Sequence, residues 1–121
     1  MIRAIRGAVT AKKDERSSVF EAVQELIRTI QEENSIDTSD MADMIFTVTP
    51  DIRSVFPAAA VRDMGITDVP LLDMAAPDVE GALRMCIRVM IHINTEKSNS
   101  ELRHVYLGAA AALRPDIAGK N

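Results

Sequence analysis

The segment that most limits the possible folds is residues 86–93, which reads Cys-Ile-Arg-Val-Met-Ile-His-Ile. Large apolar and β-branched residues dominate it, and such a run is typical of a strand that is covered on both faces. Only Arg88 and His92 interrupt the apolar pattern. We therefore expect this strand to lie in the centre of a sheet and to hold an arginine in apolar surroundings.

Shorter patterns predict the elements on either side of the central strand. Strands are predicted over residues 1–9, 44–49, 69–73 and 102–107, and helices over residues 18–34 and 57–65. Ser18 and Glu21 have capping-box spacing at the start of the first helix, and Asn34 is a plausible end for it. Polar residues 94–101 are predicted to form a loop.

The element order β-α-β-α-β-β-β predicts an α+β fold with a mixed sheet and helices packed on one face. The chain of 121 residues is long enough for one domain, residues 1–121, and too short for two. The last two strands and residues 109–113 carry much apolar surface for a face open to water. This excess favours an oligomer.

Charge and cysteine usage exclude several functional classes. The net charge is −4 and there is no Lys/Arg block, which argues against a nucleic-acid surface. No apolar run is long enough to span a membrane. Cys86 is the only cysteine, so no intramolecular disulfide forms, and a reducing, cytoplasmic location is expected. We interpret Cys86 as a core thiol.

Motifs for metal, nucleotide or covalent chemistry are missing from the sequence. His92 and His104 lack the neighbouring ligands of a metal site, so we assign them structural or solvated roles. The glycines form no GxGxxG or Walker pattern, and no serine stands in a nucleophile elbow. We therefore expect no metal and no cofactor.

Two arginines stand where the pattern calls for apolar residues: Arg88 in the central strand and Arg6 near the end of the first strand. A guanidinium keeps its proton, and leaving such a charge buried without a partner costs several kcal/mol. An anion must therefore meet it. The pattern alone favours an ion pair within the protein or between subunits, and leaves an anionic ligand as the alternative.

Seven short motifs, in this order and spacing, resemble the monofunctional chorismate mutases of the Bacillus type over nearly the whole chain. The motifs are Ile5-Arg6-Gly7-Ala8, Thr49-Pro50-Asp51, Val55-Phe56-Pro57-Ala58, Ala60-Val61-Arg62, Cys86-Ile87-Arg88-Val89-Met90, Arg103-His104-Val105-Tyr106-Leu107 and Leu113-Arg114-Pro115-Asp116. Each is weak alone, and together they make chance similarity improbable.

The resemblance implies a homotrimeric pseudo α/β barrel with three active sites in clefts between neighbouring subunits. The implied reaction is the pericyclic rearrangement of chorismate to prephenate, a shikimate-pathway step of aromatic amino acid biosynthesis. It needs neither nucleophile nor cofactor. The resemblance also implies a flexible C-terminal tail from about residue 114 to residue 121, whose Arg114 closes over bound substrate or is merely solvated.

Individual roles also follow from the resemblance. Arg6 is implied to bind a substrate carboxylate and fix the reactive conformer, while Arg88 stabilises negative charge on the ether oxygen in the transition state. Tyr106 is implied to donate a hydrogen bond to a carboxylate. The remaining implied substrate contacts are Phe56, Ala58 and Leu72 in the pocket wall, which otherwise read as core residues, and Arg62 and Arg114 near its mouth.

The chain departs from the family pattern at the pocket. Ala76 stands where the family commonly has a glutamate that binds the substrate hydroxyl, Asp73 replaces a cysteine, and Ala59 replaces a lysine. Our hypothesis is that Asp73 supplies the missing carboxylate; the alternative is an ordinary surface or turn aspartate. Two other functions stay open: a non-catalytic trimeric small-molecule sensor and an enamine-deaminase-like trimer.

Overall fold

A computed structural model of the protein describes residues 1–113, so the predicted tail and Arg114 lie outside the described residues. The described strands and α-helices are β1 (Ile2–Thr10), α1 (Arg16–Asn34), β2 (Met41–Val48), α2 (Pro57–Asp63), β3 (Leu71–Ala75), β4 (Cys86–Asn94) and β5 (Val105–Tyr106). Short 3₁₀ helices span Thr38–Asp40, Asn99–Glu101 and Gly108–Leu113. Neither α-helix of residues 1–113 has the length and apolar character needed to cross a bilayer.

The strands form one five-stranded mixed sheet in the order β3-β2-β4-β1-β5. β4 runs antiparallel to both of its neighbours, β1 and β2. The outer pairs, β2 with β3 and β1 with β5, are parallel. The predicted α+β class, the mixed sheet and the central position of β4 are therefore confirmed.

Both helices pack on the same face of the sheet, as predicted. The apolar stripe of α1 is fully buried against it and consists of Val19, Val23, Leu26, Ile27 and Ile30. The helix approaches β1 most closely at Gly7, where an added Cβ would lie 2.8 Å from Cδ1 of Ile30. A larger residue at position 7 would force the side chain of Ile30 to shift, because real Cβ atoms do not approach other atoms so closely.

Strand β4 carries α-helices on one face only within a single chain, so cover of its second face by another subunit stays a prediction. Its odd-numbered residues are buried beneath the helices: Ile87, Val89, Ile91 and Ile93. Arg88 and Met90 point to the other side and are exposed in the single chain. A strand alternates its side chains between two faces, and in one chain only one face carries α-helices.

We call this second side of the sheet the open face. It is formed by Arg6 and Ala8 of β1, Ile45 and Thr47 of β2, Leu72 and Met74 of β3, Arg88 and Met90 of β4, and Tyr106 of β5. Its side chains include large exposed apolar groups, with Leu72 55% and Met74 49% exposed. The apolar segment 109–113 partly covers one end of the open face, where Ala110 is buried against Ala8 and Cys86.

Two local predictions failed. The capping box at Ser18 and Glu21 does not form: α1 begins at Arg16 after Glu15, and the hydroxyl of Ser18 instead accepts the backbone N–H of Lys13. The last strand spans only two residues. A 3₁₀ helix precedes it, and the backbone N–H of Arg103 is hydrogen-bonded to the side chain of Asn34 rather than to a neighbouring strand.

Asn34 ends α1, as predicted, and ties it to the segment that precedes β5. Its side chain is 2% exposed and makes three hydrogen bonds. The amide Nδ2 donates to the carbonyls of Ile30 and Arg103, both at 2.9 Å, and Oδ1 accepts the N–H of Arg103 at 2.8 Å. The next residue, Ser35, adopts the left-handed conformation (φ 52°) typical of a helix end.

Replacing Asn34 by alanine should destabilise the protein strongly. The substitution removes three hydrogen bonds and leaves the partly buried N–H and C=O of Arg103 without their Asn34 partner, at a cost of about 2–3 kcal/mol. Urea unfolding at fixed protein concentration measures the change. Asn99→Ala, at an exposed position, is the matched control and should change the free energy of unfolding by less than about 0.5 kcal/mol. Equal effects of the two substitutions would contradict this role of Asn34.

Candidate active site

The pairing of β1 with β4 brings Arg6 and Arg88 together on the open face. Arg6 lies opposite Met90, and Ala8 lies opposite Arg88. The two arginines are therefore diagonal neighbours on adjacent strands, a relation that puts Cβ atoms about 7–8 Å apart or less. Arg6 is half-buried and Arg88 is exposed. We call these two residues the arginine pair.

The arginine pair has no acidic partner within residues 1–113. The ion pairs of this part of the chain, with N···O distances up to 4.0 Å, join Arg84 to Asp51, His92 to Asp43 and Arg103 to Glu33. Two neighbouring guanidinium groups repel each other. Among the described residues, the intramolecular ion pair favoured by the sequence pattern is therefore not formed.

Tyr106 lies in the same row of the sheet as Arg88. β5 pairs with β1 so that Tyr106 lies beside Ala8, which in turn lies opposite Arg88. Ala8, which lies between Tyr106 and Arg88 in this row, is only 1% exposed because Ala110 packs against it. On the other side of Arg88, the row continues with Thr47 of β2.

Both histidines have structural partners, in line with the prediction. The backbone N–H of Arg6 donates to Nδ1 of His104 at 2.9 Å, so the imidazole ties the start of β5 to β1. Nδ1 of His92 lies 2.7 Å from Oδ1 of Asp43. Within residues 1–113, no cluster of three or more His, Cys, Asp or Glu side chains has the arrangement of a metal site.

A cleft of about 780 Å³ contains the arginine pair, and we call it the arginine cleft. Of the predicted site residues, it is lined by Arg6, Ala76, Arg88 and Tyr106. Its volume lies in the range of small-molecule sites, and apolar side chains supply much of the remaining wall. The arginine cleft thus joins two cations, a phenol and an apolar surface.

Cys86 borders the arginine cleft from its buried position at the start of β4. Burial raises the pKa of its thiol, although the nearby guanidinium of Arg88 acts in the opposite direction. The thiol is therefore protonated at neutral pH and unsuited to nucleophilic attack. The prediction of a core thiol is confirmed.

A second, smaller cleft of about 430 Å³ lies beside α2, and Phe56 and Asp73 line it. Ala58 adjoins it, since its backbone N–H donates to Oδ1 of Asp73 at 3.1 Å. We call it the α2 cleft. Phe56 is 69% exposed, and Leu72, on the open face, is 55% exposed.

The structure therefore divides the predicted site residues of one chain into two groups. Asp73 does not line the arginine cleft of its own chain, whereas Ala76, three positions along, does. Arg62 is exposed on α2, and its charge acts on Asp73. Asp73 and the arginine pair therefore lie in different clefts of one chain.

Burial raises the pKa of Asp73 above its usual value, and the N–H of Ala58 and the charge of Arg62 offset only part of this effect. Its Oδ1 is occupied by Ala58, whereas Oδ2 makes no hydrogen bond with any side chain or backbone group that the structure describes. Asp73 is thus a half-buried carboxyl group with one oxygen available to a ligand.

Sequence reasoning missed two threonines that line the arginine cleft, Thr47 and Thr49. Thr47 lies opposite Arg88 in the register of β2 and β4. The available signal was the two-residue period of β2, which puts Ile45, Thr47 and Thr49 on one side. This period identifies the threonines as cleft residues only once β2 is known to pair with β4.

Taken together, these features define a class of small α+β proteins with an arginine-lined cleft on the face of a mixed sheet opposite its helices. The model of the chorismate mutase type I family matches residues 2–117, and the chain belongs to this family.

Named relatives and a solved structure agree with this membership. The chain is 41% identical over 119 residues to the chorismate mutase AroH of Bacillus subtilis, covering 98% of this chain and 94% of the relative. It is 42% identical to the chorismate mutase AroH of Thermus thermophilus over 118 residues, covering 97% of each. A solved chorismate mutase from Clostridium thermocellum superposes with a TM-score of 0.89 at 41% identity, covering 91% of this chain and 98% of that one.

Asp73→Asn should raise stability at neutral pH. Because the pKa of Asp73 is higher in the folded than in the unfolded chain, its contribution to stability is full below the unfolded pKa, near 3.9, and is lost as the pH rises. Asparagine can still accept the N–H of Ala58 and carries no charge. The gain in free energy of unfolding should therefore be seen at pH 7 and vanish near pH 3.

Urea unfolding of both proteins over this pH range measures the gain. Asp68→Asn, which removes a charge from an exposed position, is the matched control and should leave the stability unchanged. An Asp73→Asn variant that is less stable than the parent at pH 7 would show that a cation neutralises Asp73 in the native protein.

Proposed function

We propose that the chain is an isomerase that rearranges chorismate to prephenate, a shikimate-pathway step toward the aromatic amino acids. The observation that carries the proposal is the arginine pair without an acidic partner within residues 1–113. Chorismate carries two carboxylates and an ether oxygen, which are the groups such a pair can bind. Membership of the chorismate mutase type I family supports this substrate.

Arg6 binds one carboxylate of the substrate. Its guanidinium presents a planar fork that matches a carboxylate in two parallel hydrogen bonds. β1 holds Arg6 firmly, since its backbone is paired with β4 on one side and tied to His104 on the other. Fixing the carboxylate selects the compact conformer in which the two reacting carbons are close, and this removes rotational freedom before the bonds change.

Arg88 supplies most of the rate. As the C–O bond breaks, negative charge develops on the ether oxygen, and a fixed cation beside that oxygen interacts more strongly with the transition state than with the ground state. The central position of β4 keeps this cation in place without help from a protein carboxylate. The rearrangement has one substrate and is concerted, so the side chains of the cleft transfer no group and need no cofactor.

The remaining residues position the substrate. The hydroxyl of Tyr106 donates to a carboxylate from the same row of the sheet as Arg88, and the apolar wall excludes water from the reacting carbons. Arg114 and the predicted tail over about residues 114–121 lie outside the described residues. The chain acts as a single domain over residues 1–121 in the cytoplasm.

The working form is a homotrimer in which the arginine cleft of one subunit faces the α2 cleft of the next. Support comes from the apolar side chains that one chain leaves exposed around both clefts, including Phe56, Leu72, Met74 and Met90. Three sheets then line the interior of a pseudo α/β barrel with the helices outside. Phe56, Ala58, Arg62 and Leu72 reach the substrate from the neighbouring subunit.

Asp73 of the α2 cleft supplies the carboxylate that Ala76 lacks. With Oδ1 held by Ala58, its Oδ2 accepts the hydroxyl of the substrate across the subunit boundary. Ala59 stands where the family has a lysine, so the wall formed by α2 carries one positive charge fewer. No observation favours the two alternatives, a non-catalytic sensor and an enamine-deaminase-like trimer, over the mutase.

Arg88→Ala should nearly abolish turnover. Removing a comparable preorganised donor costs about 3 kcal/mol or more, which corresponds to a loss of kcat of about 10²-fold or greater. The disappearance of chorismate absorbance with purified protein measures the rate. Arg28→Ala, which removes an exposed arginine from α1 in the helical layer, is the control and should keep full activity.

An unchanged kcat in Arg88→Ala would contradict the proposed mechanism. Substrate binding without turnover by the parent protein would favour the sensor.

Mixing subunits tests whether the two clefts share one active site. We expect Asp73→Asn to have reduced turnover and affinity, and the parent protein to have a mass of about 40 kDa, three times the 13.3 kDa of the chain. Unfolding Arg88→Ala and Asp73→Asn together and refolding the mixture produces mixed trimers. In each mixed trimer, one boundary joins an intact arginine cleft to an intact α2 cleft.

The refolded mixture should therefore be more active than the sum of the two variants refolded separately. Simple addition of their activities would contradict a site shared between subunits. Unchanged turnover and affinity in Asp73→Asn alone would contradict the relocated carboxylate while leaving the role of Arg88 intact.

A further inference from the structure

Met85, the residue directly before β4, has the left-handed backbone conformation with φ at 55°. Methionine has no local preference for this conformation, because its Cβ is crowded there. Such residues persist only where the surrounding structure holds them, and they are concentrated at functional sites. The turn at Met85 leads within three residues to Arg88, so its conformation determines how β4 enters the sheet.

Two side chains from the segment directly after β2 hold this turn. Oδ2 of Asp51 accepts the N–H of Met85 at 2.9 Å, and Oγ1 of Thr49 accepts the N–H of Cys86 at 3.0 Å. The two side chains are also joined to each other, since the hydroxyl of Thr49 donates to Oδ1 of Asp51 at 2.6 Å. We call this set of three hydrogen bonds the Thr49–Asp51 clamp.

Backbone groups complete the support. The N–H of Thr49 donates to the carbonyl of Cys86 at 3.1 Å, and the N–H of Ala11 donates to the carbonyl of Met85 at 2.9 Å. Burial acts to raise the pKa of Asp51, but the hydrogen bonds from Thr49 and Met85 hold it below its usual value. The carboxylate is therefore ionised at neutral pH and available as an acceptor on both oxygens.

The clamp affects the position of Arg88 because the turn that it holds sets the register of β4. Cys86 and Arg88 point to the same side of β4, and both line the arginine cleft. A slip of one residue at the start of β4 would move Arg88 to the helical face. Smaller movements of the turn would shift the guanidinium relative to Arg6, which belongs to a different strand.

We propose that Thr49 and Asp51 are positioning residues for Arg88, acting through the turn at Met85 and Cys86 rather than by contact with the substrate. This inference rests on the proposed mutase function. Since Arg88 interacts most strongly with the transition state, loss of the clamp lowers kcat and changes KM little.

Each clamp residue has a disruptive and a conservative substitution. Thr49→Val removes the hydroxyl at nearly constant shape, whereas Thr49→Ser keeps it. Asp51→Ala removes both acceptors, whereas Asp51→Asn keeps one oxygen for the N–H of Met85. Val23→Ala removes buried methyl groups beneath α1, on the other face of the sheet, and serves as a control for loss of stability alone.

The first measurement is steady-state turnover of chorismate at a temperature where every variant is folded. Thr49→Val and Asp51→Ala should lose about 10-fold or more in kcat with KM within about threefold, because small displacements of catalytic groups cost up to about 10²-fold. Thr49→Ser and Asp51→Asn should stay within about threefold of the parent. Val23→Ala should melt at a lower temperature and keep its kcat.

The second measurement does not depend on activity. Cys86 is the only cysteine and its thiol is buried, so alkylation of the native protein by iodoacetamide reports local opening of the turn. The rate should rise about tenfold in Thr49→Val and Asp51→Ala and stay unchanged in the conservative variants and in Val23→Ala.

The outcomes separate the clamp from the proposed function. A parent protein without turnover contradicts the mutase function and, with it, the positioning role. An active parent whose disruptive variants keep kcat overturns the positioning role, even where alkylation accelerates. Unchanged alkylation in both disruptive variants overturns the clamp itself, whatever the activity.

Discussion

The antiparallel pairing of β1 with β4 is the constraint on which the rest of the structure depends. It joins the first strand of the chain to one that begins at Cys86 and fixes what each face of the sheet carries. On one face, Gly7 lets α1 approach the sheet closely. On the other face, the same register makes Arg6 and Arg88 diagonal neighbours. Helical cover and paired cations are therefore two results of one strand pairing.

The elements of the fold followed from the sequence where the pattern is local. The apolar run of β4 identified the central strand, and Asn34 marked the end of α1. The prediction failed where other parts of the chain intervene, since the length of β5 depends on the contact between Asn34 and Arg103. The cover of the open face could not be predicted from the pattern, because it depends on contacts that a single chain does not make: Met90 belongs to the apolar run of β4 and is exposed in one chain.

The candidate site shows the same division. Motif resemblance identified Arg6, Arg88 and Tyr106, and the structure brings all three into one cleft. The sequence did not reveal that Asp73 lies in a different cleft of the same chain, because cleft membership depends on strand register and helix placement. Thr49 was recognised only as part of a motif, since a threonine at the end of a strand is ordinary by pattern.

The central claim is that the guanidinium of Arg88 faces the ether oxygen of the substrate and has no protein acid beside it. A crystal structure of the protein with a stable dicarboxylate mimic of the transition state tests this most directly. The account predicts a nitrogen of Arg88 about 3 Å from the ether oxygen, and Arg6 bound through two parallel hydrogen bonds to a carboxylate. Arg88 paired with a carboxylate of the protein, or directed away from the ligand, would contradict it.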